Sequence, residues 1–276
     1  MNVNRDDAVI SGFGDEWRRF NQSGASEAER AKLFEAYFAI FPWSALPPDA
    51  RGADIGCGSG RWADFVAPKV GHLVCVDPSN EALGVARRNL MQHENVDFLL
   101  GDAEMMAIPN NSLDFAYSLG VLHHIPDTTA ALSACVRRLK PGAPFLLYLY
   151  YAFDNRPPWF RLIWRISDYL RKIVSRRSLS VRYAISQILA SVIYWPLART
   201  SRILEKTGRN VANFPLTFYR DRSFYIMRND ALDRFGTQVE HRFTQDAIRQ
   251  MMLHAGLTDI TFSASEPYWC AVGYRS

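Results

Sequence analysis

A glycine-rich turn between a predicted strand and a predicted helix constrains the fold of this chain more than any other stretch. Residues 53–62 read ADIGCGSGRW, in which a short apolar run ends at an acidic residue, three glycines follow at alternate positions, and a helical pattern begins. Glycine readily adopts positive φ and lets another group come close to the backbone. A strand, a glycine-rich turn and a helix N-terminus together form a cradle for a nucleotide-like ligand. The Gly-x-Gly-x-Gly spacing differs from the Gly-x-Gly-x-x-Gly of a dinucleotide fingerprint.

Predicted strands and helices alternate from Gly52 to Tyr151. The predicted strands are 53–55, 72–76, 96–100, 113–118 and 144–151. Helices are predicted between them, with Ser79 and Asp127 as N-caps. This alternation predicts a Rossmann-like, doubly wound α/β sheet that is mostly parallel. After a helix that Thr244 caps, two further strands, about 258–265 and 268–274, predict an antiparallel C-terminal hairpin at the end of the sheet.

The pattern of the chain changes twice, which predicts three parts. Residues 1–48 form an N-terminal helical lid, residues 49–154 and 243–276 form the core, and residues 155–242 form an inserted helical cap. A chain of 276 residues is long enough for one large domain with an insertion, or for two small domains. The aromatic residues of the first part, including Trp17, have helical spacing, and two interpretations remain open. The helix packs on the domain, or it covers the cofactor as a lid.

Charge and cysteine content limit the classes of function. The net charge is only +4, so the whole chain is not a polyelectrolyte binder. Its four cysteines are far apart and lack zinc-site spacing, which predicts reduced, buried thiols, no metal and a cytoplasmic location. The polar N-terminus argues against a signal peptide. The most apolar stretch, 185–197, is shorter than the roughly 20 residues that span a bilayer.

The order of motifs resembles the class I S-adenosylmethionine (SAM) dependent methyltransferase superfamily. Residues 56–60 resemble its first motif, and the segments GVLHHIPD at 120–127 and LKPG at 139–142 resemble its small-molecule branch, which includes ubiquinone, menaquinone and sterol-type enzymes. The resemblance covers about residues 50–152 together with the C-terminal helix and hairpin. It implies SAM as the cofactor and methyl transfer as the reaction, and it leaves the acceptor open.

Ligands of an open α/β sheet bind outside the carboxyl ends of its strands, where four polar or glycine-rich segments of this chain converge. The resemblance implies that the glycines approach the methionyl and ribose parts of SAM, that Asp77 accepts its ribose hydroxyls, and that Asp102 faces its adenine. Each acidic residue taken alone could equally be a turn or cap residue. The residues predicted to bind the cofactor are Trp17, Asp54, Gly56, Cys57, Gly58, Gly60, Asp77, Pro78, Ser79, Asp102, Ala103, Glu104, Ser118, Leu119, Gly120 and His123.

The prediction of the acceptor rests on the segments after the fourth and fifth predicted strands. The Asn/Asp-Pro-Pro-Tyr and Pro-Cys motifs of nucleic-acid base methyltransferases do not occur there, which favours an oxygen or nitrogen of a small-molecule, sugar or lipid-linked acceptor. A hydroxyl acceptor must lose its proton, and histidine suits that role near pH 7. His123, His124 and Tyr150 are the predicted catalytic residues, although either histidine could instead only pack in its loop. Tyr148, on the same face as Tyr150, is predicted to contact the substrate.

The insertion is predicted to be a basic helical module. Aromatic and aliphatic residues interleave with its cations at the spacing of an amphipathic helix, and a second apolar helix, about 181–194, ends near Pro196. Three interpretations remain open: a cap with a solvated basic face, a surface for a membrane or lipid-linked acceptor, and a site for an anionic acceptor or nucleic acid. The predicted substrate-binding residues of this part are Arg156, Tyr219, Arg220 and Tyr225.

Together these patterns predict a cytoplasmic SAM-dependent methyltransferase with a small-molecule acceptor. Contact with a peripheral membrane or lipid-linked substrate is consistent with the insertion, nucleic acid is not favoured as a partner, and the oligomeric state is left open. Two alternatives remain: a non-catalytic SAM-binding or membrane-surface adaptor, and an NAD-dependent dehydrogenase. The glycine spacing disfavours the dehydrogenase.

Overall fold

A computed structural model describes residues 4–276 of the chain. They divide into two compact units. The core unit comprises the described residues up to Gln22, Arg30–Ala152 and Val239–Ser276, and the insert unit comprises Ser23–Glu29 and Phe153–Gln238. The first helix therefore belongs to the core unit, and the lid role of residues 1–48 stays a prediction.

A seven-stranded sheet organises the core unit. Its strands are β1 Arg51–Ile55, β2 His72–Asp77, β3 Val96–Leu100, β4 Phe115–Leu119, β5 Pro144–Tyr148, β6 Leu257–Phe262 and β7 Cys270–Arg275. The strand order is β3-β2-β1-β4-β5-β7-β6, and all pairs are parallel except those of β7 with β5 and β6. The predicted fold class, with its antiparallel C-terminal hairpin, is confirmed.

Burial explains why these segments are strands. All five residues of β4 are buried, as are the last four of β1, because helices cover both faces of the parallel sheet. The fifth strand ends at Tyr148, earlier than the predicted Tyr151. Beyond it the chain makes only an isolated parallel bridge, between Tyr151 and Phe243, because β7 pairs with β5 only as far as Tyr148.

Ten α-helices accompany the sheet in the described residues. They are α1 Asp7–Arg19, α2 Glu27–Tyr37, α3 Ala63–Val66, α4 Asn80–Asn89, α5 Thr128–Val136, α6 Pro158–Val174, α7 Leu179–Leu189, α8 Trp195–Lys206, α9 Phe224–Gly236 and α10 Gln245–His254. The predicted N-caps are confirmed at α4, α5 and α10, where side-chain oxygens accept from backbone amides. These bonds run from Ala82 to Ser79 (3.2 Å), from Ala130 to Asp127 (2.9 Å) and from Ala247 to Thr244 (3.1 Å).

The insert unit has a small core of its own. Val174, Ala190, Tyr194, Met227 and Phe235 are among its buried members. The predicted end near Pro196 is wrong, since α7 continues through a π-helical turn, residues 190–194, directly into α8. Pro196 lies in the first turn of α8, directly after the π-helical turn. No helix among residues 4–276 is long and apolar enough to cross a membrane.

Candidate functional site

The glycine-rich turn after β1 is held open by backbone hydrogen bonds and by Asp77. The amides of Gly56 and Cys57 both donate to the carbonyl of Val76, at 2.8 and 3.0 Å. The Gly58 amide donates to Asp77 Oδ2 at 2.9 Å. Two strand ends, those of β1 and β2, are thereby joined at the carboxyl edge of the sheet.

Gly58 must be glycine for two reasons. Its φ of +54° is unfavourable for a residue with a side chain, and a Cβ there would lie 2.6 Å from the Trp17 ring. Helix α1 thus lays the Trp17 indole directly on the turn. The Arg61 guanidinium lies 5.3 Å from the centre of the same ring, within cation–π range.

Two buried carboxyl groups lie under this turn. Asp77 Oδ1 accepts from the Ser79 amide at 2.9 Å, and burial raises the pKa of Asp77 to about 6 although its two backbone hydrogen bonds lower it. Burial raises the pKa of Asp54 to about 8; the charge of Asp77 adds to the rise, while Tyr117 and Arg61 oppose it. At pH 7 Asp77 is therefore mainly ionised and Asp54 mainly protonated.

The residues of this turn fit the cofactor that the sequence implies. Asp54 Oδ2 is buried and forms no hydrogen bond with any described residue, so it can receive the amino group of a methionyl moiety. A cationic amino group there would also lower the pKa of Asp54 and favour its ionised form.

Three predicted cofactor-binding side chains already have protein partners. Asp102 Oδ1 accepts from the amides of Glu104 (3.0 Å) and Met105 (2.7 Å), which fixes the turn after β3. The Glu104 carboxylate accepts from Asn4. The Ser118 hydroxyl is fully buried and donates to the Ile55 carbonyl at 2.9 Å, so it ties β4 to β1. Their cofactor contacts stay predictions.

The remaining predicted cofactor residues follow the same strand ends. Ala103 and Leu119 are buried, Pro78 is half-buried, and the Gly120 amide donates to the Tyr148 carbonyl at 3.0 Å. Cys57 is buried beside Cys75, and this contact together with burial raises its pKa well above the usual range. Cys57 is therefore a neutral thiol.

His123 is fully buried and stacks on Tyr150. The ring centroids are 3.9 Å apart at an interplanar angle of 29°, and His124 lies 4.0 Å away on another side. Neither ring nitrogen of His123 forms a hydrogen bond with any described residue. Burial, then the charges of His124 and Arg242, hold the pKa of His123 well below its usual range. The imidazole is therefore neutral at pH 7, with one acceptor nitrogen.

His124 has a fixed tautomer. Its Nδ1 lies 2.7 Å from the Val239 carbonyl oxygen. Because a carbonyl oxygen only accepts, Nδ1 carries the proton, and Nε2 of the neutral ring is the acceptor. Phe13, on α1, lies 4.9 Å from the His124 ring. The histidine that is better oriented to take a proton is thus His124.

The segment 239–243 completes this cluster, although the sequence pattern placed most of it in the insertion. The amides of His241 and Phe243 donate to the carbonyls of His123 and Tyr150, both at 2.9 Å. Arg242 lies 5.0 Å over the Tyr150 ring and forms an ion pair of 2.8 Å with the buried Glu240. The sequence does show a dense run of charged residues that includes Glu240, His241 and Arg242, but it does not show that they lie beside the histidine cluster.

Tyr148 lies beside the same cluster. Tyr37 packs edge-on against it at 5.0 Å, and Tyr150 follows at 6.1 Å. Burial raises the pKa of Tyr148 well above its usual range, so the phenol stays neutral. Tyr151 points elsewhere, as the strand alternation predicts, and packs on Tyr268 and Trp269.

The four predicted substrate residues of the insertion have partners inside the insert unit. Arg156 donates to the Ala212 carbonyl, and Arg220 forms an ion pair with Glu205 at 2.8 Å. Tyr219 packs on Tyr194 at 5.4 Å, and the Tyr225 ring fills the space that a Cβ at position 24 would need. Their contacts with a substrate stay predictions.

Comparison with known proteins finds similar proteins for the first half of the chain. Residues 53–147 match the family described as "Methyltransferase domain", and curated relatives named ubiquinone biosynthesis O-methyltransferase match as well. Within residues 53–147 this chain is thus similar to methyltransferases. The relative from Aromatoleum aromaticum is 30% identical over 147 residues, which are 51% of this chain and 62% of the relative. The relative from Hahella chejuensis is 33% identical over 116 residues, 41% of this chain and 47% of the relative. The chain thus matches less than two thirds of the length of either methyltransferase.

Solved structures support the fold of this chain. The solved structure of a "putative methyltransferase" from Bacillus halodurans superposes on this chain with a TM-score of 0.51 at 18% identity. The superposition covers 86% of this chain and 72% of that protein. The Haemonchus contortus phosphoethanolamine N-methyltransferase 2, solved with phosphomonomethylethanolamine and S-adenosylhomocysteine, also has a TM-score of 0.51 at 18% identity, and covers 95% of this chain and 47% of its own. At these identities the likeness concerns the fold alone.

Proposed function

We propose that this chain transfers a methyl group from SAM to an oxygen, or a nitrogen, of a small-molecule acceptor. The observation that carries the proposal is the stack of the fully buried His123 on Tyr150; the imidazole nitrogens have no partner among the described residues. It follows β4 and β5 at the carboxyl edge of the sheet that also carries the glycine-rich turn. The O-methyltransferase names of the relatives support a hydroxyl acceptor.

The cofactor contacts are proposed from the geometry of the turn. SAM supplies an activated methyl group on a sulfonium, so the protein mainly aligns the reactants and excludes water. Asp77, mainly ionised at pH 7, accepts hydrogen bonds from the sugar hydroxyls while it holds the Gly58 amide. Asp54 receives the amino group, and Trp17 covers the turn.

The proposed acid–base chemistry uses the histidine cluster. His124 Nε2 accepts the proton of the acceptor hydroxyl as the oxygen attacks the methyl group, whose bond to sulfur breaks so that the thioether S-adenosylhomocysteine leaves; Nδ1–H remains on the Val239 carbonyl. His123, held neutral by burial, hydrogen-bonds to the acceptor. Arg242 and Glu240 hold Tyr150 against His123 and thus act as positioning residues.

Calorimetry with SAM and S-adenosylhomocysteine tests the cofactor site. We expect both to bind, and Asp77→Ala to weaken binding at least tenfold because the sugar hydroxyls lose their acceptor. Asp97→Ala, at an exposed carboxylate of β3, is the matched control and should bind like the wild type. If neither ligand binds at millimolar concentration, or Asp77→Ala binds normally, the proposal is wrong. A screen of phenols, alcohols and amines with labelled SAM then identifies the acceptor.

The alternatives are weaker on specific grounds. A dehydrogenase is not favoured because the glycine spacing differs from its fingerprint, and a change in nicotinamide fluorescence on titration would revive it. A non-catalytic adaptor predicts SAM binding without turnover of any acceptor.

We also propose a cytoplasmic location, since all four cysteines are free and buried. In addition, we propose contact with a membrane or a lipid-linked substrate.

A further inference from the structure

Helix α6 is oriented with its apolar side outward. Seven large apolar residues of this helix are exposed, by 37% to 71%. We call them the α6 outer face: Trp159, Leu162, Ile163, Ile166, Tyr169, Leu170 and Ile173. Their spacing of three and four residues places them on one side of the helix. An amphipathic helix normally buries such a stripe, so this orientation calls for an explanation.

The opposite side of α6 is polar, buried and satisfied. Arg171 is only 3% exposed, forms an ion pair of 2.8 Å with Asp168, and donates to the carbonyls of Thr237 (3.0 Å) and Gln238 (3.1 Å). Arg234 approaches Asp168 at 3.9 Å from α9. Turning the helix to bury its apolar side would leave these charges without partners, at a large cost. The outward apolar face is therefore specified by the fold.

Cations border the α6 outer face. Arg161, Arg165 and Lys172 are exposed and are separated by four and seven residues, so they share one edge of the apolar stripe. Arg161 and Arg165 form no ion pair or hydrogen bond with any described residue. Asp168 is the sole acid between residues 155 and 204, against ten cations, and its carboxylate pairs with the buried Arg171 at 2.8 Å and with the exposed Lys172 at 2.9 Å.

Helix α7 repeats the arrangement. It buries Arg182, which donates to the Arg177 and Gly236 carbonyls at 2.7 and 3.0 Å, and it exposes Val181 and Ile188. Two helices of one unit thus bury an arginine and expose aliphatic residues. Such a repetition is not expected of an isolated surface irregularity.

We propose that the α6 outer face lies on an anionic lipid surface. An apolar stripe with tryptophan and tyrosine, edged by cations and without an exposed acid, has the chemistry of a helix that lies in a membrane interface. A second copy of this chain is the poorer occupant, because an isologous contact would bring unpaired arginines towards arginines. The proposal identifies the surface that makes the membrane contact proposed above, and it does not depend on methyl transfer.

Vesicle co-sedimentation tests the proposal. The full chain should bind vesicles of phosphatidylcholine containing phosphatidylglycerol, bind neutral phosphatidylcholine vesicles much more weakly, and dissociate as salt is raised. Leu162→Glu/Ile166→Glu should lower the partition coefficient at least tenfold. The control Met91→Glu/Leu253→Glu changes two exposed apolar residues of the core unit and should partition like the wild type.

Charge variants measure how much the exposed cations contribute to vesicle binding. Arg161→Gln/Arg165→Gln should weaken binding to the anionic vesicles by about fivefold per cation and flatten the salt dependence. Arg88→Gln/Arg137→Gln, which removes two exposed cations of the core unit, is the control. Far-UV circular dichroism and SAM calorimetry report whether each variant is folded and keeps its cofactor site.

Three results would overturn the proposal. The wild type fails to bind anionic vesicles, or Leu162→Glu/Ile166→Glu binds them like the wild type, or the lipid-free chain is a dimer that this variant dissociates in analytical ultracentrifugation. The third result would assign the face to a second copy. Because SAM binding is measured in the same preparations, loss of vesicle binding alone leaves the proposed function standing.

Discussion

At the scale of single residues, burial decides the chemistry of the candidate site. Asp54, Asp77 and His123 are ordinary titratable residues in the sequence, and each is displaced from its usual pKa because the fold removes it from water. The carboxyl groups become weaker acids and the imidazole a weaker base. Each shift gives a measurable pH dependence.

SAM affinity should fall as the pH is lowered through about 6. Protonation of Asp77, whose pKa burial raises to about 6, removes an acceptor for the sugar hydroxyls. Calorimetry from about pH 5 to about pH 7.5 measures the decline, and Asp77→Asn should bind weakly and lose the part of the decline that is centred near pH 6. A wild-type affinity that is constant over this range would contradict the assignment.

Stability should fall as the pH rises towards 8. The folded-state pKa of Asp54 is raised to about 8, so between its unfolded value and that pH the native chain binds the extra proton. Urea unfolding at a series of pH values should show this decline in the free energy of unfolding. Asp54→Asn should decline less, and at the alkaline end its loss of unfolding free energy should be smaller than that of the wild type by on the order of a few kcal/mol. An unchanged slope in Asp54→Asn would assign the dependence to another group.

Gly58→Ala should weaken SAM binding at least tenfold and destabilise the fold by about 1–3 kcal/mol. Its positive φ is strained for alanine, and the new methyl group meets Trp17. In a Trp17→Ala background the same change should cost less, because only the backbone strain remains. Equal costs in the two backgrounds, measured by denaturant unfolding, would show that Trp17 does not pack on the turn.

At the scale of the element, polar contacts determine how the helices of the insert unit face. Periodicity alone predicted an amphipathic helix near residues 159–173, and α6 is that helix. Periodicity could not tell which side is buried, because the hydrogen bonds that decide it run from Arg171 to Thr237 and Gln238, which lie 66 and 67 positions later in the chain.

Asp168→Ala should destabilise the chain by about 3–5 kcal/mol because it leaves the buried Arg171 without its carboxylate. The double variant Asp168→Leu/Arg171→Met removes both charges and should cost clearly less. Denaturant unfolding of the two variants compares them directly. If the single variant is the milder one, the buried ion pair does not fix the orientation of α6.

At the scale of the whole molecule, the chain leaves the core unit after Ala152 and returns to it at Val239. The returning segment supplies residues 239–243 to the histidine cluster and supplies β7, which pairs with β5. Residues far apart in the chain therefore complete the sheet and the candidate site together.

Replacing residues 153–238 by a short Gly/Ser linker should preserve SAM binding, because every residue proposed to bind SAM belongs to the core unit. Truncation after Gln238 is the matched comparison and should abolish folding, since it removes β6, β7 and α10. Calorimetry and circular dichroism measure both. A folded linker variant that cannot bind SAM would place a cofactor contact in the insert unit.

The amino-acid sequence was sufficient to predict the sheet and the position of its glycine-rich turn. Strand and helix periodicity, the glycine spacing and the acids at the ends of β1 and β2 and after β3 are local signals, and parallel strands necessarily bring their carboxyl ends to one edge. Other features became known only from the folded chain: the tautomer of His124, the placement of Glu240 and Arg242 on Tyr150, and the outward apolar side of α6. These features depend on contacts between residues distant in the chain, which no local pattern encodes.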